Sequence, residues 1–290
     1  MNQQQRREYL MSALLQENTQ DRGLELPAGE EEQRQLLRGL MNIRLPKAIP
    51  AKVLKVQDAY LQERSKQKGT VDSAELPVKQ QIGEGSLCLW QGDITTLRCD
   101  AMVNAANSGM TGCYIPNHCC IDNCIHTYAG MQLRWTCEQI MQRQGHAEPA
   151  GSAKITSAFN LPCRYVLHTV GPIISGTVTK NDRVLLESCY QSCLELAEEH
   201  GLESVAFCCI STGEFHFPNE LAAEIAVQTV RKFMQKATSV KRVIFNVFKD
   251  EDRAIYEKLL QAEGTDTEST GTGGGRDYRR GSWPFRFRRI

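Results

Sequence analysis

The densest reactive stretch of the chain is Gly112-Cys113-Tyr114-Ile115-Pro116-Asn117-His118-Cys119-Cys120-Ile121-Asp122-Asn123-Cys124-Ile125-His126. Its four cysteines and two histidines are the donor types that a borderline-soft Zn²⁺ prefers. Gly112 and Pro116 predict an irregular loop able to turn several side chains onto one point. A helix is expected from about Ile121, with Asp122 in its first turn, where a carboxylate is favourable. The spacing is not that of paired Cys-x-x-Cys motifs, so two readings stand. One is a metal site; the other is buried free cysteines, with His126 a core or helix-surface histidine. Cys124, His126 and Cys137 are assigned to packing.

Other segments carry residue types suited to an anion or a nucleotide. Ser211-Thr212-Gly213-Glu214-Phe215 follows an apolar run and precedes a helix opening near Pro218-Asn219. Small residues there can turn backbone N–H groups toward a phosphate, and the helix N-terminus adds to the field. The loop is neither Gly-x-Gly-x-x-Gly nor a Lys-bearing Walker loop, which disfavours dinucleotide oxidoreduction and nucleoside triphosphate hydrolysis. Gly92-Asp93-Ile94-Thr95 follows another strand; Asp93 either accepts from a ligand amine or hydroxyl, or closes a turn. Val103-Asn104-Ala105-Ala106-Asn107 sets two amides beside small residues that allow close approach to the backbone. His168 reads as a buried hydrogen-bonding histidine, and Cys208-Cys209 as core strand without a disulfide.

The elements that must position these residues follow from hydropathy period, which changes near residue 86. Before it, 30–43 and 52–67 space apolar residues by three and four among charged ones, predicting amphipathic helices interrupted at Pro46–Pro50. They read as a helical cap with no catalytic constellation. After it, strand-type runs at 87–94, 100–107, 153–159, 165–171, 204–211 and 242–248 alternate with helical runs near 121–142, 182–200, 219–236 and 250–262. Several of the strands are almost wholly apolar, as strands buried on both faces are, so the class is α/β with a mostly parallel sheet. Ligands of such sheets bind at the carboxyl ends of the strands. The expected organisation is a helical extension over 1–85, the α/β domain over 86–263, and a flexible Gly/Arg-rich tail over 264–290.

Composition narrows the classes further. Of 290 residues, 41% are hydrophobic, and Lys+Arg and Asp+Glu number 34 each. A balanced globular chain has no global field to gather nucleic acid or an anionic membrane, so neither is expected as a partner. No apolar run approaches the roughly 18–20 residues of a membrane span, and the N-terminus lacks the apolar core of a secretory signal. The expected location is cytoplasmic, where the 12 cysteines are thiols or metal ligands.

Taken in order, GDIT (92–95), VNAAN (103–107), HTVGP (168–172) and STGEF (211–215) followed by Pro218-Asn219-Glu220 resemble the macrodomain, an ADP-ribose-binding fold. The resemblance covers roughly 86–262. It implies a three-layer α/β/α fold with a mixed, mostly parallel sheet. The insert over 112–134, with LMNIRLP and QDAYLQE upstream, is similar to zinc-dependent macrodomains, which are protein-ADP-ribose hydrolases associated with sirtuin-type ADP-ribosyltransferases. That resemblance implies one Zn²⁺ per chain held by Cys113, His118 and Cys120, with Cys119 an adjacent alternative thiol. It places adenine against Asp93 and Ile94, and the distal ribose against Asn107. Cys120, Ile121 and Asp122 fall beside the pyrophosphate and distal ribose, and Ser211, Thr212, Gly213, Glu214 and Phe215 at the phosphates.

The implied activity is hydrolysis of mono-ADP-ribose from modified protein side chains, as Asp or Glu esters, with Asn107 and Asp122 the catalytic candidates. Three protein ligands leave a coordination position for a ribose oxygen or a water. Asp122 is either a general base or a helix cap and ligand contact. The alternative function is a reader that binds ADP-ribose without cleaving it and uses zinc structurally; a zinc-stabilised scaffold is a third.

Overall fold

Runs that are almost wholly apolar have to be covered on both faces, and they form the middle of the sheet. The computed structural model describes residues 1–17 and 26–261. The elements are α1 (Gln3–Glu17), α2 (Glu30–Ile43), α3 (Ala51–Lys68), β1 (Val71–Asp72), β2 (Val78–Ile82), β3 (Gly85–Gln91), β4 (Leu97–Arg98), β5 (Ala101–Ala106), α4 (Ile121–Ala129), α5 (Met131–Gln144), β6 (Ala153–Ser157), β7 (Tyr165–Val170), α6 (Lys180–Glu199), β8 (Ser204–Phe207), α7 (Asn219–Met234), β9 (Arg242–Val247) and α8 (Asp250–Gln261). The large sheet is ordered β2-β3-β9-β8-β5-β7-β6. β3, β9, β8, β5 and β7 are mutually parallel, and β2 and β6 close the edges antiparallel. This is the expected α/β class with a mixed, mostly parallel sheet.

After β5 the chain crosses toward β7, whereas after β8 it crosses toward β9. The carboxyl ends of β5 and β8 therefore flank the point where connections diverge, which is where an open α/β sheet leaves a crevice. The pairing widens it: β5 meets β8 only at Ala101↔Val205 and Met102↔Ala206. The run expected to be strand through 211 leaves the ladder after Phe207, and residues 208–211 turn into the loop beside the crevice.

α1, α2 and α3 bury Leu10, Met11, Leu14, Leu37, Leu40 and Tyr60 in a core of their own, which also takes in Met131 of α5. Gln57 of α3 is fully buried, and its Oε1 accepts from Met131 N at 2.8 Å, satisfying a free N–H at the start of α5. The single helix expected over 121–142 is two, because Gly130 has φ 102° and ψ 169°. A Cβ there would stand 2.6 Å from Gln57 Nε2, so glycine allows both the break and the close approach of α3. The sheet begins at Val78, inside the segment assigned to the extension. The tail over 264–290 lies outside the described residues, among which no helix is long and apolar enough to cross a membrane.

Candidate functional site

GDIT follows β3, VNAAN ends β5 and STGEF follows β8, so the parallel sheet brings all three to one edge. The first part of the insert, 112–120, joins them because it follows β5 and feeds α4. Gly112 has φ 84°, and a Cβ on it would meet the His126 ring at 2.7 Å, so only glycine turns the chain tightly over that ring. His126 is buried; its Nε2 stands 3.5 Å from Asp122 Oδ1, and neither ring nitrogen has a hydrogen-bond partner among the described residues. His126 lines a cavity of about 10 Å³, the size of one water, together with Asn42, Arg44 and Arg134.

Within the insert, ligand atoms of Cys113, His118 and Cys120 all lie within 4.8 Å of one another. Cys113 Sγ stands 3.5 Å from His118 Nδ1, and the other ring nitrogen, Nε2, faces Glu214 Oε1 at 3.6 Å. Two thiols and an imidazole with a carboxylate behind the ring are a donor set that fits zinc. Cys119 is exposed and contacts Asn117 O instead, so the alternative thiol stands apart from the cluster. Cys120 doubles as the N-cap of α4, accepting from Asn123 N at 3.4 Å. A second cluster, His126, Cys137 and His168, is buried. His168 already spends Nδ1 on Asn104 at 3.2 Å and Nε2 on Thr156 Oγ1 at 2.9 Å, which makes it the hydrogen-bonding core histidine expected.

Asp122 is only 5% exposed. Asn104 Nδ2 donates to its Oδ1 at 2.8 Å and Asn107 Nδ2 to its Oδ2 at 3.2 Å. Burial pushes its carboxyl up to about 6, against the Asn104 amide, the Arg134 charge and the Asn107 amide, which favour the anion. Asn107 also donates to Gly112 O at 3.1 Å and accepts from Gly109 N at 2.9 Å. Asp122 is thus enclosed behind Asn107, which is half-buried at the crevice.

On the other wall, Ser211 and His216 take φ values of 64° and 57°, the left-handed region. The loop closes through Phe217 N to Ser211 O at 2.9 Å and His216 N to Gly213 O at 3.0 Å. The N–H groups of Ser211 to Phe215 have no acceptor among the described residues, and buried Ser211 Oγ is also unpartnered. A run of unsatisfied N–H groups on a strained turn is an anion-binding concavity. Gly171 of HTVGP permits it, since a Cβ there would fall 1.9 Å from Ser211 Oγ.

At the third position Asp93 opens a 3₁₀ turn, its Oδ1 accepting from Thr95 N at 3.0 Å and Thr95 Oγ1 at 2.6 Å. Burial raises its carboxyl pKa, but Lys68 and Thr95 outweigh that and leave it below the usual range. The Ile94 side chain is buried, which leaves only its main chain available to a ligand.

The helical extension does more than cap. Arg38 of α2 donates to His118 O, Asn42 Oδ1 accepts from Asn117 N at 3.0 Å, and Asn42 Nδ2 donates to Thr127 Oγ1 at 2.9 Å. Arg134 of α5 donates to the carbonyls of Met41, Asn42 and Arg44 at the end of α2 and to Cys113 O, with its guanidinium 4.2 Å from the Tyr114 ring centroid. Sequence reasoning missed Arg38, Asn42, Arg134 and Lys68, because charged and amide residues on amphipathic helices look like a solvated face.

Residues 103–226 match the macro domain family. A protein of Treponema medium named protein-ADP-ribose hydrolase is 56% identical over 260 residues, covering 90% of this chain and all of its own length. One of the same name from Staphylococcus aureus is 45% identical over 259 residues, covering 89% of this chain and 96% of its own. Among solved structures, the Oceanobacillus iheyensis macrodomain with ADP superposes with a TM-score of 0.58 at 36% identity, covering 63% of this chain and 93% of that one. The Trypanosoma brucei macrodomain in complex with ADP-ribose gives 0.60 at 28% identity, covering 77% and 94%. With relatives matched at that identity over nearly their whole length, the chain belongs to the macro domain family, alongside the protein-ADP-ribose hydrolases, and is a hydrolase.

Proposed function

We propose that the chain is a zinc-dependent hydrolase that removes mono-ADP-ribose from proteins modified on Asp or Glu side chains. The observation that carries the reading is the Cys113–His118–Cys120 cluster, set on the insert beside Asn107 and Asp122 and faced by Glu214 of the STGEF loop. A module that only binds has no need of such a cluster at the crevice.

ADP-ribose lies along the carboxyl edge of the sheet in this reading. The Asp93 carboxylate and the Ile94 N–H, which has no acceptor among the described residues, take the adenine edge. The free N–H groups of Ser211 to Phe215, with the first N–H groups of α4 at Ile121 and Asp122, take the pyrophosphate. That run leaves the distal ribose at Asn107 and the three-donor cluster. Asp122, enclosed and bonded to both asparagines, holds the Asn107 amide in one orientation, so that hydroxyls of the ribose meet a fixed partner. The scissile bond joins the anomeric carbon to the carboxylate of the modified protein. Zinc, when bound by Cys113, His118 and Cys120, would supply a Lewis acid for a ribose oxygen or a water. A sirtuin-type transferase is proposed, on the resemblance alone, as the maker of the modification.

The test follows release of ADP-ribose from an aspartate- or glutamate-modified protein, with the chain as purified and after chelator treatment. Circular dichroism checks the fold in both. Turnover lost on stripping and regained with zinc is expected. Full turnover by a zinc-free, folded protein would sink the metal requirement, and cleavage confined to another linkage would sink the ester.

A further inference from the structure

Lys68 is the last residue of α3, in a segment without any assigned part in the site, yet its ammonium sits on the GDIT loop. It pairs with Asp93 Oδ2 at 2.5 Å, donates to Thr95 Oγ1 at 3.0 Å, and lies 3.6 Å from the centroid of the Tyr128 ring on α4. Its side chain is 19% exposed, whereas that of Asp93 is 41% exposed.

Two devices hold the ammonium there. Carbonyls at the carboxyl end of α3 favour a cation in the last turn. Beyond Gly69, whose N–H bonds to Lys66 O at 3.1 Å, β1 pairs with β4 through Val71↔Leu97 and Asp72↔Arg98. The backbone just after Lys68 is therefore clamped to the backbone just after Thr96. The ammonium is a built part of the loop and not a wandering surface charge.

The consequence concerns how Asp93 meets a base. Its Oδ1 is occupied by the Thr95 N–H and hydroxyl, and its Oδ2 takes Lys68 on one side. A carboxylate oxygen accepts about two hydrogen bonds, so Oδ2 keeps one outward lone pair in a fixed direction. An exocyclic amine donates to that lone pair, while a carbonyl in the same place meets a like partial charge.

We propose that Lys68 is a positioning residue for base recognition: it locks the Asp93 carboxylate so that the site selects a purine amine over a purine carbonyl, making the helical extension part of the nucleotide site. The proposal rests on the ADP-ribose reading above.

The experiment measures binding of ADP-ribose and of its hypoxanthine counterpart, inosine diphosphate ribose, by calorimetry. The proteins are the zinc-loaded wild type, Lys68→Met, Lys68→Arg and Tyr128→Leu. Wild type is expected to prefer ADP-ribose. Lys68→Met should weaken ADP-ribose by about tenfold, the worth of one charge-assisted contact, and leave the hypoxanthine ligand nearly unchanged. The selectivity ratio then collapses. Lys68→Arg should restore most of it, and Tyr128→Leu should lower it in the same direction. Loss of a purely structural tie would weaken both ligands alike and keep the ratio, which overturns the proposal. If wild type binds ADP-ribose and Lys68→Met keeps its selectivity, this inference alone falls. If wild type binds neither ligand, the ADP-ribose reading falls and takes it along.

Discussion

Arg38 on α2 donates to the main-chain oxygen of His118 at 2.7 Å, and the same guanidinium nitrogen reaches Asn123 Oδ1 at 3.0 Å. One side chain of the extension thereby fixes the middle of the insert and the first turn of α4. Arg38→Met keeps the apolar stem and removes the donors. The protein should fold, and its zinc affinity should fall by about 10–100-fold, as expected when support behind a ligand is lost. Competition with a chromophoric chelator reads this directly. Unchanged affinity would show that the insert holds its own shape.

Asp122 presents two oxygens to two amide donors, which makes Asp122→Asn an informative replacement. An asparagine there has one oxygen and one NH₂, so one of Asn104 and Asn107 must face a donor. Asn107 is nearer the crevice and should be the one displaced. Misplacing an orienting group by about 1 Å costs on the order of 10²-fold in turnover, with a much smaller loss in ADP-ribose affinity. Steady-state kinetics beside calorimetry separates the two. Loss of binding and turnover in equal measure would instead make Asp122 a direct ligand contact.

Gly171 lies under the STGEF loop with no room for a methyl group, since the added Cβ would stand 1.9 Å from Ser211 Oγ and 3.0 Å from Ile210 Cγ2. Ser211 is buried and already at a positive φ, so its side chain has little freedom to yield. Gly171→Ala should cost about 1–3 kcal/mol of stability as overpacking. It should also weaken ADP-ribose binding by shifting the N–H groups of the loop. Urea denaturation and calorimetry test both. Wild-type affinity in a destabilised variant would show that the loop re-forms around the methyl.

What could be read from the sequence depended on whether a residue's meaning is local. β5, β7, β8 and β9 were legible because both their faces are buried and they are mostly apolar, with Asn104, His168, Thr169 and Asn246 the buried polar residues within them. β2 was not, because Val78-Lys79-Gln80-Gln81-Ile82 is an edge strand that leaves Val78, Lys79 and Gln81 exposed and shows no alternation. α1 was missed for a related reason: glutamine and arginine dominate its first turns, and Leu10, Met11, Leu14 and Leu15 gain meaning only against α2 and α3. The same holds at the site. Asp93, Asn107 and Ser211 announce themselves by following strands. Lys68 and Arg38 become site residues only through docking of helices far away in sequence, and Arg134, at the end of the insert, only through its contacts with Cys113 and the end of α2; no local pattern marks them.

Glu198, near the end of α6, gives a pH dependence that is independent of ligand chemistry. Its carboxylate accepts from the N–H groups of Thr238, Ser239 and Val240 and from Thr238 Oγ1, tying α6 to the segment that enters β9. Burial alone would raise its pKa; the Thr238 hydroxyl and the three backbone donors more than reverse that and hold it at about 2, below the ordinary 4.5. With the folded value depressed, the stabilisation is fully present above the unfolded value of 4.5 and is lost as pH falls toward about 2. Glu198→Gln keeps one acceptor and removes the charge. The variant should be less stable by about 1–2 kcal/mol near neutral pH, a charged hydrogen-bond acceptor discounted for its partial exposure. The gap should stay flat from about pH 8 to about pH 5 and shrink below that as the wild-type carboxylate takes up its proton. Urea melts of both proteins across that range measure it, and a gap that is constant down to about pH 2 would mean that geometry, not charge, holds this corner together.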